Sequence, residues 1–231
     1  MCGTFIKMNS QTITKPKIKA IFFDFDGTIS DAKKIAEESL AETLNEFGYS
    51  AKIREARKML GTKMPEIFKK LSIDLSIIKK ARKFFYKQFT KKAKQGRIKL
   101  CCSVQPLEEL KKQKIILLVI SNSETSFVKT SAKILKVKKL FEKIYGAEKF
   151  STKDKMIEKI QKKYNLKPYE IAYVGDRFSD VEYARKAGVL AIAIYNKCSW
   201  STKKQLLKEK PDFIIKNFDD LKKIVGRVNK D

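Results

Sequence analysis

Asp24-Phe25-Asp26-Gly27-Thr28 closes the apolar run Ala20-Ile21-Phe22-Phe23, and no other stretch of the chain concentrates as much chemistry. Side chains of an extended strand alternate with a period of two, so Asp24 and Asp26 are expected on the same side. Gly27 permits a tight turn, and Thr28 sets a hydroxyl just beyond it. This arrangement suits a metal-assisted reaction with one carboxylate as nucleophile and the other as acid and base. Any acidic strand end before a turn has the same letters, so the weight falls on the rest of the chain.

Two further polar clusters follow apolar runs. Ile115 to Ile120 leads into Ser121-Asn122-Ser123, where a hydroxyl, an amide and free backbone N–H groups suit three phosphate oxygens. The same triplet also reads as an ordinary helix start. Ile171-Ala172-Tyr173-Val174 leads into Gly175-Asp176-Arg177-Phe178-Ser179-Asp180. Four carboxylates at neighbouring strand ends (Asp24, Asp26, Asp176, Asp180) would repel one another unless a cation neutralises them. Hard oxygen ligands, with substrate phosphate in the remaining positions, describe Mg²⁺. Lys153 or Lys155 begins the helix before the strand that carries Asp176, and a cation there would balance a transferring phosphoryl group.

The elements needed to position these clusters are legible in outline. Lys19 to Phe25 reads as a strand. From Asp31 to about Lys99 the pattern is almost wholly helical, with Asp31 expected to cap a helix ending near Gly48. Helices are expected over Ala51–Leu60 and Met64–Leu71, with Gly61 between them. Ile77 to Ala93 carries a helical stripe through Ile77, Ile78, Ala81, Phe84, Phe85 and Phe89. Shared placement on one face makes that stripe a packing surface rather than a row of base-stacking rings. Beyond Leu100, strands at 115–120, 143–145, 171–174, 189–194 and 213–215 alternate with helices. The alternation implies an α/β fold: a doubly wound parallel sheet with right-handed crossovers, ligands lying beyond the carboxyl ends of the strands.

Composition excludes several functions. The 231 residues include no histidine, which removes Ser-His and Cys-His nucleophiles and histidine metal sites. The formal charge of +26 comes from 45 lysines and 7 arginines against 26 acidic residues. Lysines scattered along the whole chain, rather than clustered arginine forks, argue against nucleic acid as the main partner. Such a field would still attract small phosphorylated anions. Cys2, Cys101, Cys102 and Cys198 show no paired metal spacing and read as reduced structural thiols. The absence of a spanning apolar run and of a signal-peptide core leads to the expectation of a cytoplasmic protein, monomer or homodimer, without membrane contact. Residues 1–17 read as a polar lead-in.

Taken together, the segments resemble the haloacid dehalogenase superfamily of phosphohydrolases over about Lys19 to Val225. Four motifs stand in that family's order: Asp24-Phe25-Asp26-Gly27-Thr28, then Ser121-Asn122, a lysine, and Gly175-Asp176 with Asp180. The resemblance implies that Asp24 forms an aspartyl-phosphate while Asp26 protonates the leaving oxygen and then activates water. It implies that Thr28, Ser121 and Asn122 attend the phosphoryl group and that Lys153 is the third-motif lysine, with Lys155 as the fallback. Mg²⁺ would be held by Asp24, the backbone carbonyl of Asp26 and Asp176, with Asp180 supporting through water.

The same resemblance divides the chain into a Rossmann-like core (1–30 and 100–231) and an inserted α-helical cap (31–99), phosphoglycolate phosphatase-like. Leu60-Gly61-Thr62-Lys63 would be the cap's substrate loop, with Lys63 set to meet an anionic group. The expected activity is Mg²⁺-dependent hydrolysis of a small phosphorylated metabolite: phosphoglycolate first, a sugar phosphate or nucleotide next. A phosphomutase of the same superfamily and a basic nucleic-acid-binding or end-processing protein are the rivals. One departure stands out: Tyr195-Asn196-Lys197-Cys198-Ser199-Trp200 replaces the glycine-rich turn common in the family.

Overall fold

The computed structural model describes residues 17–230, so most of the polar lead-in lies outside the described residues. Strands β1 (Ala20–Phe23), β2 (Ser30–Asp31) and β3 (Lys99–Leu100) bracket a helical insert. The insert holds α1 (Lys33–Glu46), α2 (Ile53–Lys58), α3 (Met64–Lys70) and α4 (Leu75–Lys92). The remainder alternates: α5 (Gln105–Lys112), β4 (Ile116–Ile120), α6 (Thr125–Ile134), β5 (Lys143–Tyr145), α7 (Lys153–Tyr164) and β6 (Ile171–Gly175). It ends with α8 (Phe178–Lys186), β7 (Leu190–Ile194), α9 (Lys203–Lys208), β8 (Phe213–Ile215) and α10 (Phe218–Val228).

Six strands form one parallel sheet in the order β5-β4-β1-β6-β7-β8, with β1 flanked by β4 and β6. This is the doubly wound α/β sheet that the alternation of strands and helices implies. Its four central strands are built almost wholly of apolar residues because both faces are covered, whereas edge strand β5 begins with the exposed Lys143. Along β1, Ile21 and Phe23 join the core on one face while Ala20 and Phe22 join the core on the other. β4 and β6 divide their residues in the same way, so the sheet is pinned in register by packing on two sides.

Asp31 does not cap α1. The helix begins at Lys33 with Ala32 as its N-cap and without a side-chain cap bond. Ser30 and Asp31 instead pair antiparallel with Leu100 and Lys99, a ribbon that joins the two chain crossings into and out of the insert. Backbone pairing with a distant segment thus displaces the local cap that the sequence suggests. The expected stripe on α4 is a packing surface: Ala81, Phe85, Tyr86 and Phe89 are buried, and Phe89 stacks on Phe127 of α6 at 3.8 Å between ring centroids. Among the described residues, no helix is long and apolar enough to cross a membrane.

Candidate active site

Asp24 and Asp26 leave the end of β1 and line one cavity, together with Ser121, Asn122 and Ser123 from the end of β4. The turn between them and β2 depends on Gly27, whose φ of +92° belongs to the left-handed region. A Cβ there would stand 2.4 Å from Asp176 Oδ2, so the residue must lack one for β1 and β6 to share a rim. Gly175 serves similarly: a Cβ would meet the Asp180 side chain at 2.4 Å, and its absence lets Asp180 fold under the strand end.

Each carboxylate has its own holders. Lys153 Nζ lies 3.0 Å from Asp24 Oδ1 and 2.7 Å from Asp180 Oδ1, almost fully buried between them. The other Asp180 oxygen accepts from Arg177 N at 3.1 Å, so Asp180 positions the lysine and caps α8. Asp176 accepts from Thr28 Oγ1 at 2.9 Å and from the Trp200 backbone N–H at 2.7 Å. Asp26 accepts from Ser30 Oγ at 3.1 Å and Ser123 Oγ at 2.6 Å.

Burial shifts these groups strongly. It pushes Asp24 up to about 7 despite the offsetting charge of Lys153. Asp26 rises to about 6, also through burial, with the Ser123 and Ser30 hydroxyls drawing it back. Asp176 is held well above the carboxylate range by burial and by the charges of Asp24 and Asp180. Burial opposes the charge on Lys153, yet Asp180 and Asp24 keep it firmly protonated. One ammonium does not balance three buried carboxylates, and the deficit is what a divalent cation corrects. Oxygen atoms of Asp24, Asp176 and Asp180 come within 4.8 Å of one another, and an all-oxygen donor set fits a hard cation.

The structure separates residues that spacing leaves together. Lys155 stands two positions along α7 from Lys153, on the opposite face, exposed and paired with Glu158 at 3.0 Å. Thr28 is wholly buried and spends its hydroxyl on Asp176, so it bears on a phosphate only through that carboxylate. Ser121 Oγ accepts from Ser123 N at 3.0 Å, and Asn122 Nδ2 donates to Gly61 O of the insert at 2.9 Å. Lys63 is placed apart from these residues. Its ammonium donates to the carbonyls of Ala147 (2.9 Å) and Phe150, and it lies outside the cavity that holds Asp24. Burial between insert and core lowers its affinity for a proton, and backbone oxygens occupy the donors expected to meet substrate. Reading by motif also missed Ser30, Ser123 and Trp200. Two of them had a signal: Ser123 stands two residues beyond Ser121 at a strand end, and Trp200 closes the loop that departs from the family's glycine-rich turn.

A family model of haloacid dehalogenase-like hydrolases matches residues 21–194. The chain belongs to that family. It is an enzyme of the family's phosphohydrolase kind, as its motifs lead one to expect. It is similar to pyrophosphatase PpaX of Bacillus mycoides (strain KBAB4), 26% identical over 92% of this chain and 99% of that protein. Among solved structures it resembles a predicted phosphatase of Clostridium acetobutylicum, with a TM-score of 0.78, 23% identity, and coverage of 91% and 99% of the two chains. A predicted phosphoglycolate phosphatase of Haemophilus somnus 129PT gives a TM-score of 0.71 at 23% identity, covering 90% and 97%. At these identities the structures speak for the shared fold.

Proposed function

We propose that the protein is a Mg²⁺-dependent phosphatase that hydrolyses a small phosphorylated compound through an aspartyl-phosphate on Asp24. The observation that carries this reading is the different tethering of the paired carboxylates: Lys153 on Asp24, two hydroxyls on Asp26. Asp24 would attack phosphorus in line with the bond to the leaving group, and that P–O bond would break as the Asp24–P bond forms. Asp26, raised by burial to about 6, suits a group that gives its proton to the leaving oxygen near neutral pH. The resulting carboxylate would take a proton from water, whose oxygen attacks the aspartyl-phosphate and releases phosphate. Lys153 would balance charge on the transferring group, with Ser121 and Asn122 oriented to its oxygens.

Asp24 and Asp176 would hold Mg²⁺, and the ion would contribute charge neutralisation at the phosphoryl oxygens. Asp180, whose oxygens stand in the same group, would hold Lys153 and support the ion through water.

With the insert packed down the cavity is small, leaving about 30 Å³ for the centres of water-sized molecules. A substrate would therefore enter only when α3 and α4 lift away, and a closing lid favours a compact molecule. Phosphoglycolate and pyrophosphate both meet that size limit, and each is named for a similar protein.

The test is phosphate release from a panel of small phosphate esters and pyrophosphate, with Mg²⁺ or with EDTA, for the native enzyme and Asp24→Asn. Mg²⁺-dependent release that disappears in the variant is the expected result. Release that persists in Asp24→Asn, or none from any compound, would refute the assignment.

A further inference from the structure

Among the described residues, three buried side-chain polar atoms lack a hydrogen-bond partner: Arg82 Nε, Ser131 Oγ and Trp200 Nε1. Arg82 Nε lies 3.2 Å from a Glu124 carboxylate oxygen, and Ser131 sits within α6, away from the cavity of Asp24. Trp200 differs from both, because it lines the cavity shared by Asp24, Asp26, Ser121 and Asn122. Its backbone N–H is anchored on Asp176 at 2.7 Å, which fixes the residue against the catalytic rim. A Cβ on Gly27 would stand 2.6 Å from Trp200 Cδ1, the ring atom bonded to Nε1. The pyrrole edge of the indole therefore lies against the turn that follows Asp26.

An indole N–H can only donate. Buried without an acceptor it loses its hydration for no return, which makes an unserved donor in a cavity wall a sign of a missing acceptor. The insert brings Leu60, Met64, Phe85 and Phe89 to this wall together with the Thr62 hydroxyl, and none of these makes a hydrogen bond with Nε1. The Tyr86 hydroxyl, also in that wall, accepts from Glu124 N at 3.2 Å.

We infer that Trp200 Nε1–H is a substrate-binding donor that takes an acceptor oxygen on the leaving group. It would make the enzyme selective for compact phosphate compounds carrying such an oxygen beside the bond that breaks. A carboxylate next to a phosphate ester and the second phosphoryl group of a diphosphate present the same chemistry. This rests on the phosphatase reading, in which Ser121, Asn122 and Lys153 already serve the transferring group. It also gives a use to the loop at 195–200, where the chain departs from the glycine-rich turn of its relatives.

The experiment compares native enzyme and Trp200→Phe on 2-phosphoglycolate, pyrophosphate and ethyl phosphate, whose leaving group lacks the extra acceptor. The preference for an acceptor-bearing compound over ethyl phosphate, as a ratio of kcat/KM, is expected to fall about tenfold or more in the variant. Which of the two compounds loses its advantage distinguishes carboxylate from phosphoryl recognition. An equal loss on all three compounds would reduce Trp200 to a prop for Asp176, and an unchanged ratio would overturn the contact. Trp200 is the single tryptophan of the chain, so its fluorescence reports the same contact without turnover. In Asp24→Asn with Mg²⁺, emission should shift on saturation with an acceptor-bearing compound and stay fixed with ethyl phosphate. If no compound is hydrolysed the phosphatase reading fails, while the fluorescence titration still decides the donor: a selective shift upholds it and none refutes it.

Discussion

The strand rim and the helical insert face the same cavity but are attached to it in opposite ways. At the rim, Asp24, Asp26, Asp176 and Asp180 are buried and bound by groups within the core: Lys153, Ser30, Ser123, Thr28 and Trp200. The insert reaches the core through bonds between distant segments: Gly61 to Asn122, Lys63 to Ala147 and Arg82 to Glu124, with Phe89 stacked on Phe127. Rim groups, if separated, would leave buried charges uncompensated. The insert's crossing bonds are each a modest net contribution, about 1 kcal/mol, because water replaces them when they part. The proposed reaction would use that difference, the insert lifting while the rim keeps its bonds.

Lys153 gives the largest break in this comparison. Lys153→Ala should lower kcat at least about a hundredfold, the size usual for losing a charge-stabilising group, whereas Lys155→Ala should stay within about twofold. Steady-state kinetics on the best substrate checks this, and equal, mild effects of both would sink the assignment.

Lys63 sharpens the other side. Lys63→Met keeps the stem beside Phe150 but removes the donors to Ala147 and Phe150. The insert should open more often, by about fivefold to tenfold for each of the two hydrogen bonds lost. Hydrogen exchange at 60–68 should rise accordingly, with exchange in β1 and β6 unchanged. A variant whose exchange rises equally in sheet and insert would deny that the two regions separate.

The smallest effect lies far from the cavity, at Glu170 beside β6. Burial would raise this carboxyl, but the bonds from Lys19 and the Lys167 N–H prevail and hold it below its ordinary value. A depressed carboxyl adds stability that is complete above the unfolded-state value and is lost as pH falls through the folded one. Glu170→Gln should therefore melt a few degrees lower at pH 7, in keeping with at most about 1 kcal/mol for a partly exposed pair. The gap should close below the carboxylate range. Melting curves that stay parallel at every pH would show that the pair contributes nothing.

Legibility followed the range of the interactions involved. Local alternation anticipates that Asp24 and Asp26 line one cavity even though β1 itself ends at Phe23, and Gly27 marks its turn partly through its own positive φ. The strand ends at Ile120 and Gly175 were readable from apolar runs of the right length. Asp31 misled, because its cap potential is local while its actual pairing is with Lys99, beyond the whole insert. The contacts of Lys63 were hidden for a related reason: a lysine in a loop looks free until the loop is packed against Ala147 and Phe150. Ser30 carried no sign of bonding to Asp26, since a turn had first to bring it back.

By itself the sequence determined the α/β class, the strand ends that carry carboxylates, the lack of any histidine route and the family. These depend on periodicity, residue type and motif order, all of which survive without coordinates. Tertiary structure alone decided that Lys153 rather than Lys155 meets Asp24, that Thr28 serves Asp176, and that Trp200 brings its indole edge to the turn after Asp26. Those outcomes turn on helix phase and on approaches between segments far apart in the chain. They are set by packing both faces of the sheet and the insert at once.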